Sequence, residues 1–68
     1  MLKLSLASAR VNAGLSQKEA AKRLNVSNTT LCYWEKGKTV PNIKQVDELC
    51  RLYGVSYDNL NFLPNNPL

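Results

Sequence analysis

Sixty-eight residues, 44% of them hydrophobic, allow one domain with one small core. No stretch approaches the roughly 20 apolar residues that span a bilayer, and the opening MLKLSLASAR is too short, and too soon charged again, for a signal peptide, so the expected compartment is the cytoplasm. Without histidine, and with only Cys32 and Cys50, eighteen positions apart and outside any CxxC, the chain offers no zinc site; the thiols are expected to be reduced, and no cofactor is called for.

The net charge of +4 is unevenly spread. Residues 1–46 carry eight Lys or Arg against Glu19 and Glu35, a net +6, whereas residues 47–68 carry Arg51 against Asp47, Glu48 and Asp58, a net −2. A polyanion-binding surface belongs at the first end.

In chain order, the apolar periodicity predicts a first helix over about Leu4–Ala13, stopped by Gly14. Ser16 then caps a second helix, Gln17–Leu24. Glu19 completes an S-x-x-E capping box, and Leu15 can pack on Ala20 across the cap. Asn25 stands where the chain must turn through positive φ, a position in which asparagine is second only to glycine. Val26 points inward, Ser27 caps the third helix, Asn28–Lys36, and Gly37 ends it. Ala20, Ala21, Leu24, Val26, Leu31 and Trp34 are then the residues that must pack. Ala21 is small enough to let two helices cross closely. Helix, tight turn and helix in this register form a helix-turn-helix, a motif that points to duplex DNA.

Pro41-Asn42, with Gln45 at the box position, starts a fourth helix, Ile43–Tyr53, whose inward stripe is Ile43, Val46, Leu49, Cys50 and Tyr53, with Gly54 beyond its end. Val55-Ser56 starts a fifth, Tyr57–Phe62, and Leu60 and Leu63 close the core. The spacing of Trp34, Tyr53 and Tyr57 suits core packing better than a platform for stacking single-stranded bases. The tail PNNPL cannot continue a helix, so the domain comprises residues 1–68 with its core over about 4–63 and a loose end at 64–68.

On a helical wheel with Leu31 and Trp34 inward, Thr29, Cys32, Tyr33 and Lys36 face outward, and Asn28 projects from the amino-terminal end. Asn28, Thr29, Cys32 and Tyr33 are therefore the expected base contacts. An asparagine bonds bidentately to adenine and a threonine methyl packs on that of thymine, which points to an A/T-leaning half-site. Gln17, at the start of the second helix, is an expected phosphate contact. Lys18 and Arg23 are either further phosphate contacts or ordinary surface charge.

The run GLSQKEAAKRLNVSNTTLCYWEKGKTVP followed by LCRLYGVSYDNL resembles the phage repressor and Cro type of helix-turn-helix, the XRE family, over about Leu6–Leu63. The resemblance implies an all-α, five-helix, lambda-repressor-like domain that carries the motif on helices two and three. It implies further phosphate contacts at Lys36, Gly37, Lys38, Thr39 and Asn42. It also implies a partly buried ion pair between Arg10 and Glu35, each the lone charge on a face otherwise turned inward; the alternative is two separately solvated charges. A homodimer, weak in solution and joined around Tyr57, Leu60, Phe62 and Leu63, is implied as well. Two departures stand out: Asn25 replaces the usual turn glycine, and the recognition helix lacks the glutamines or arginine that relatives place at its start.

The function expected is sequence-specific regulation of transcription, by a repressor that occupies a near-palindromic operator as a dimer, with double-stranded DNA as partner and neither membrane nor small-molecule ligand. The alternative is a protein-interaction module on the same fold, such as an antitoxin, that binds through its acidic carboxy-terminal half. No paired carboxylates, phosphate-cradling glycine loop or activated nucleophile suggest an enzyme.

Overall fold

In a computed structural model, residues 4–61 are described. Their order is strand β1 (Leu4–Ser5), helices α1 (Leu6–Asn12), α2 (Gln17–Leu24), α3 (Asn28–Lys36) and α4 (Ile43–Tyr53), a 3-10 turn at Tyr57–Asn59, and strand β2 (Leu60–Asn61).

Helices α2, α3 and α4 have the bounds their local chemistry predicts. Ser16 Oγ accepts the Glu19 N–H at 3.1 Å while Glu19 Oε1 accepts the Ser16 N–H at 3.0 Å, and Asn42 and Gln45 exchange the same pair of bonds. Ser27 Oγ accepts the Thr30 N–H at 3.0 Å. These bonds occupy amide donors that a helix start otherwise leaves without an acceptor. At the far end of α2, Asn25 takes φ +59°, the left-handed region, and the Val26 N–H returns to the Ala21 carbonyl at 3.0 Å. The chain reverses there, so that α3 packs back on α2.

The described chain has four α-helices, not five. Tyr57–Asn59 makes only a 3-10 turn, closed by the Asn59 N–H on the Ser56 carbonyl, and the Ser56 hydroxyl caps nothing. Leu60 and Asn61 are extended because their backbone pairs with β1, parallel and in the register Leu4–Leu60 and Ser5–Asn61. That same pairing shortens the first helix: Leu4 and Ser5 are strand, and Ser5 Oγ accepts the Ser8 N–H as the cap of α1. The expected placements of Phe62, Leu63 and the tail lie outside the described residues.

One core gathers Leu6 and Ala9 of α1, Ala20, Ala21 and Leu24 of α2, Leu31 and Trp34 of α3, Leu49 and Tyr53 of α4, and Leu60 of β2. Leu31 and Leu49 have no exposed surface, and Val26, Cys50 and Val55 pack half-buried around them. Ile43 does not join its helix's inward stripe. It is 89% exposed, because it occupies the first position of α4, beyond the reach of the other helices. Tyr57 is also at the surface, 62% exposed, in contrast to the core position expected for it. Burial pushes the phenol of Tyr53 up to about 12, with a further push from Glu35, and its buried hydroxyl has no hydrogen-bond partner among the described residues.

Candidate nucleic-acid interface

The packing of Leu31 and Trp34 fixes which side of α3 meets solvent. Asn28, Thr29, Tyr33 and Lys36 are exposed and Cys32 is half-buried, so all five lie along or beside the uncovered strip. At about 1.5 Å rise per residue, nine residues make a rod about 13 Å long, and the diameter of a helix with its side chains, about 10–12 Å, fits a B-DNA major groove about 12 Å wide. The strip is uncharged until its end, where Lys36 is followed by Lys38 in the loop to α4.

Gly37 shapes that loop. Its φ of +77° lets its N–H reach the Trp34 carbonyl and the Lys38 N–H reach the Tyr33 carbonyl at 2.9 Å, which closes α3 and turns Lys38 back over the helix end. The Lys38 ammonium lies 5.2 Å from the centroid of the Tyr33 ring, a cation–π arrangement. Thr39 and Asn42 are exposed further along the same loop, although the Asn42 side-chain oxygen is engaged in capping α4.

Beneath the motif, Arg10 joins α1 to α3. Its Nε donates to Glu35 Oε2 at 2.8 Å, its Nη2 reaches Oε1 at 3.5 Å, and its Nη1 donates to the Leu15 carbonyl at 3.0 Å. Gln17 joins this group: its Nε2 donates to Glu35 Oε1 at 3.1 Å. The sequence places an expected phosphate contact at Gln17 because it starts α2; the structure commits its side-chain amide to Glu35. The backbone N–H groups of Gln17 and Lys18, in the first turn of α2, remain the anion-directed groups at this helix start. Eighteen residues separate Gln17 from Glu35, so no local periodicity signals their contact. The one available hint was that Glu35 is a charge on an inward face, which needs more than one donor.

Lys18, Lys22 and Arg23 are exposed on α2 and Lys44 on α4. The hydrogen bonds from Ser16, backbone first, hold the Glu19 carboxyl below its ordinary range and keep it occupied with the helix start. Burial, followed by the charge of Asp47, raises the Cys50 thiol, the opposite of what activates a thiolate. Both cysteines are free. Among the described residues no three His, Cys, Asp or Glu are grouped to hold a metal ion, and no helix is long and apolar enough to cross a membrane.

Two helices crossing at a left-handed turn, the second with an uncovered polar strip and lysines at its end, define a helix-turn-helix domain. The helix-turn-helix family model matches residues 6–60, and the chain belongs to that family, of the XRE type. It is 42% identical over 55 residues to the HTH-type transcriptional regulator ImmR of Bacillus subtilis, a match covering 81% of this chain and 43% of that protein. It is 33% identical over 51 residues to the HTH-type transcriptional activator BcrR of Enterococcus faecalis, covering 75% of this chain and 25% of that protein. The chain thus spans less than half the length of the curated relatives it matches. No solved structure matches it significantly.

Proposed function

We propose that this domain binds duplex DNA and regulates transcription, with α3 in the major groove and α2 across the backbone. The observation that carries this reading is the uncovered strip of α3, hydrogen-bonding and uncharged along the helix, then cationic where the loop leaves it. Such a strip can read base edges while the flanking groups grip phosphate. The two relatives named as transcriptional regulators support the same reading.

In this arrangement Asn28 and Thr29 read bases, and Cys32 and Tyr33 sit beside them on the groove face. Lys18, Lys36, Lys38, Thr39 and Asn42 hold phosphates, together with the first-turn N–H groups at Gln17. Arg10 and Glu35 act indirectly, by fixing the angle at which α3 leaves the body. A single half-site is a small contact, so the domain works as a symmetric homodimer, weak in solution, on a near-palindrome. Repression follows from occupancy alone, since a bound domain blocks polymerase without any second surface. The cytoplasm, where such a regulator meets its DNA, is the matching compartment.

Selection from a pool of random duplexes at two salt concentrations tests this. The expected result is an enriched A/T-leaning half-site, repeated with two-fold symmetry. The phosphates neutralised by Lys18, Lys36 and Lys38 should give a slope of log affinity on log salt of about −2.7 per monomer. Failure to enrich any sequence, with no salt-dependent binding, refutes the proposal.

A further inference from the structure

We propose that Tyr33 and Lys38 form a clasp, in which the tyrosine ring holds the lysine ammonium ready for a backbone phosphate, so that Tyr33 acts chiefly as a positioning residue and not as a base reader. The proposal rests on the DNA-binding reading above and assigns a role within that site.

Two contacts made by one residue carry it. The Tyr33 carbonyl accepts the Lys38 N–H at 2.9 Å, which fixes where the lysine leaves the chain, and the Tyr33 ring lies 5.2 Å from the Lys38 ammonium, which fixes where its tip rests. Gly37, at φ +77°, makes the first contact possible by bending the loop back on the helix. A lysine unrestrained in solvent surrenders its rotamer freedom when it engages a phosphate. A lysine already lying on a ring has surrendered part of it before DNA arrives, which is how preorganisation raises affinity. Tyr33 is 40% exposed, with Lys38 over a face of its ring, so the groups it still offers to DNA are its ring edge and hydroxyl. Lys36, the neighbouring cation, has no such support among the described contacts and serves as the internal comparison.

The test uses the full chain and a mixed-sequence duplex about two helical turns long, titrated over a range of sodium chloride concentrations. Tyr33→Leu should weaken binding about two- to five-fold, the worth of an exposed cation–π contact. Tyr33→Phe, which keeps the ring and loses the hydroxyl, should restore it. In a Lys38→Gln background, Tyr33→Leu should cost nothing more, and the base preference of the Tyr33→Leu protein should be unchanged. In the free protein, the ε-methylene proton resonances of Lys38 should be shifted upfield by the ring in the parent and in Tyr33→Phe, and should lose that shift in Tyr33→Leu.

Absence of the ring-current shift in the parent overturns the clasp. So do losses that add in the double variant, a Tyr33→Phe protein as weak as Tyr33→Leu, or a changed base preference, because each has the tyrosine acting on DNA itself. A parent that binds duplex while Tyr33→Leu binds equally well overturns the positioning role alone. A parent that keeps the shift but binds no duplex overturns the DNA-binding reading, and the role assigned to the clasp falls with it.

Discussion

Replacing Arg10 with methionine should nearly unfold this domain, although it removes only one side chain. The side chains of Arg10 and Glu35 are 15% and 8% exposed, so their pair lies largely out of water. Arg10→Met leaves the Glu35 carboxylate with the Gln17 amide as its one remaining donor among those described, and it strips the Leu15 carbonyl of its partner. Breaking a buried pair from one side costs about 3–5 kcal/mol, and access of water to this site places the cost near the lower bound. A core of this size supplies a total of only about 3–5 kcal/mol, so the variant should retain about 0–2 kcal/mol. Trp34, the chain's single tryptophan and 4% exposed, reports unfolding by its fluorescence, alongside helix content by circular dichroism. At about 1 kcal/mol per molar urea, the midpoint should fall by about 3 M, leaving little or no folded baseline. Arg10→Met combined with Glu35→Leu should recover to within about 1 kcal/mol of the parent, because two packed apolar groups leave no charge stranded. A loss below about 1 kcal/mol in the single variant, the level of an exposed pair, refutes the reasoning. Coupling below about 0.5 kcal/mol across the complete mutant cycle does so as well.

At the turn, Asn25 sits at φ +59°, so Asn25→Ala should cost about 1–2 kcal/mol while Asn25→Gly stays near the parent in urea unfolding; equal losses would show that the left-handed conformation is not what asparagine supports. Ser27→Ala removes the acceptor of the Thr30 N–H and should lower stability by about 1 kcal/mol, measured in the same way. Ile43→Ser should change stability by less than about 0.5 kcal/mol, given that the side chain is 89% exposed, and a larger loss would place Ile43 in the core after all. For Tyr53, whose folded value is raised to about 12 from about 10, the unfolded chain releases its proton first as pH rises. Its stabilising contribution is therefore complete below pH 10 and is lost progressively between about 10 and 12. Tyr53→Phe, which also removes a buried hydroxyl without a partner among the described residues, should show a shallower decline in stability over that window than the parent, and identical pH profiles would contradict it.

The elements read most accurately from sequence are those whose ends are set by contacts three to five residues apart. Ser16 with Glu19, Ser27 with Thr30, and Asn42 with Gln45 mark three helix starts, and Asn25, Gly37 and Gly54 mark the matching ends. The first and last segments were misread for a shared reason. Leu4 and Ser5 look like the start of a helix, and Leu60 the middle of one, until each is placed beside the other; the backbone pairing that makes them extended joins residues fifty-six positions apart. Ile43 shows the same limit on a smaller scale. Its spacing from Val46 and Cys50 predicts a shared face, but periodicity cannot say whether the opposing surface extends as far as the first turn.

Sequence alone determined the helix-turn-helix itself: its caps, its left-handed asparagine, its small residue at the crossing, and therefore which strip of Asn28–Lys36 faces outward. These follow from local hydrogen bonds and side-chain size, which act within a few residues. The tertiary structure decided what each exposed or charged group is committed to. It turned the Gln17 amide toward Glu35, laid Lys38 over Tyr33, left Ile43 and Tyr57 in solvent, and joined the two ends of the described segment as paired strands. With the exception of the short-range clasp at Tyr33, each of these outcomes depends on which helix lies opposite, and that is set by packing the whole core at once.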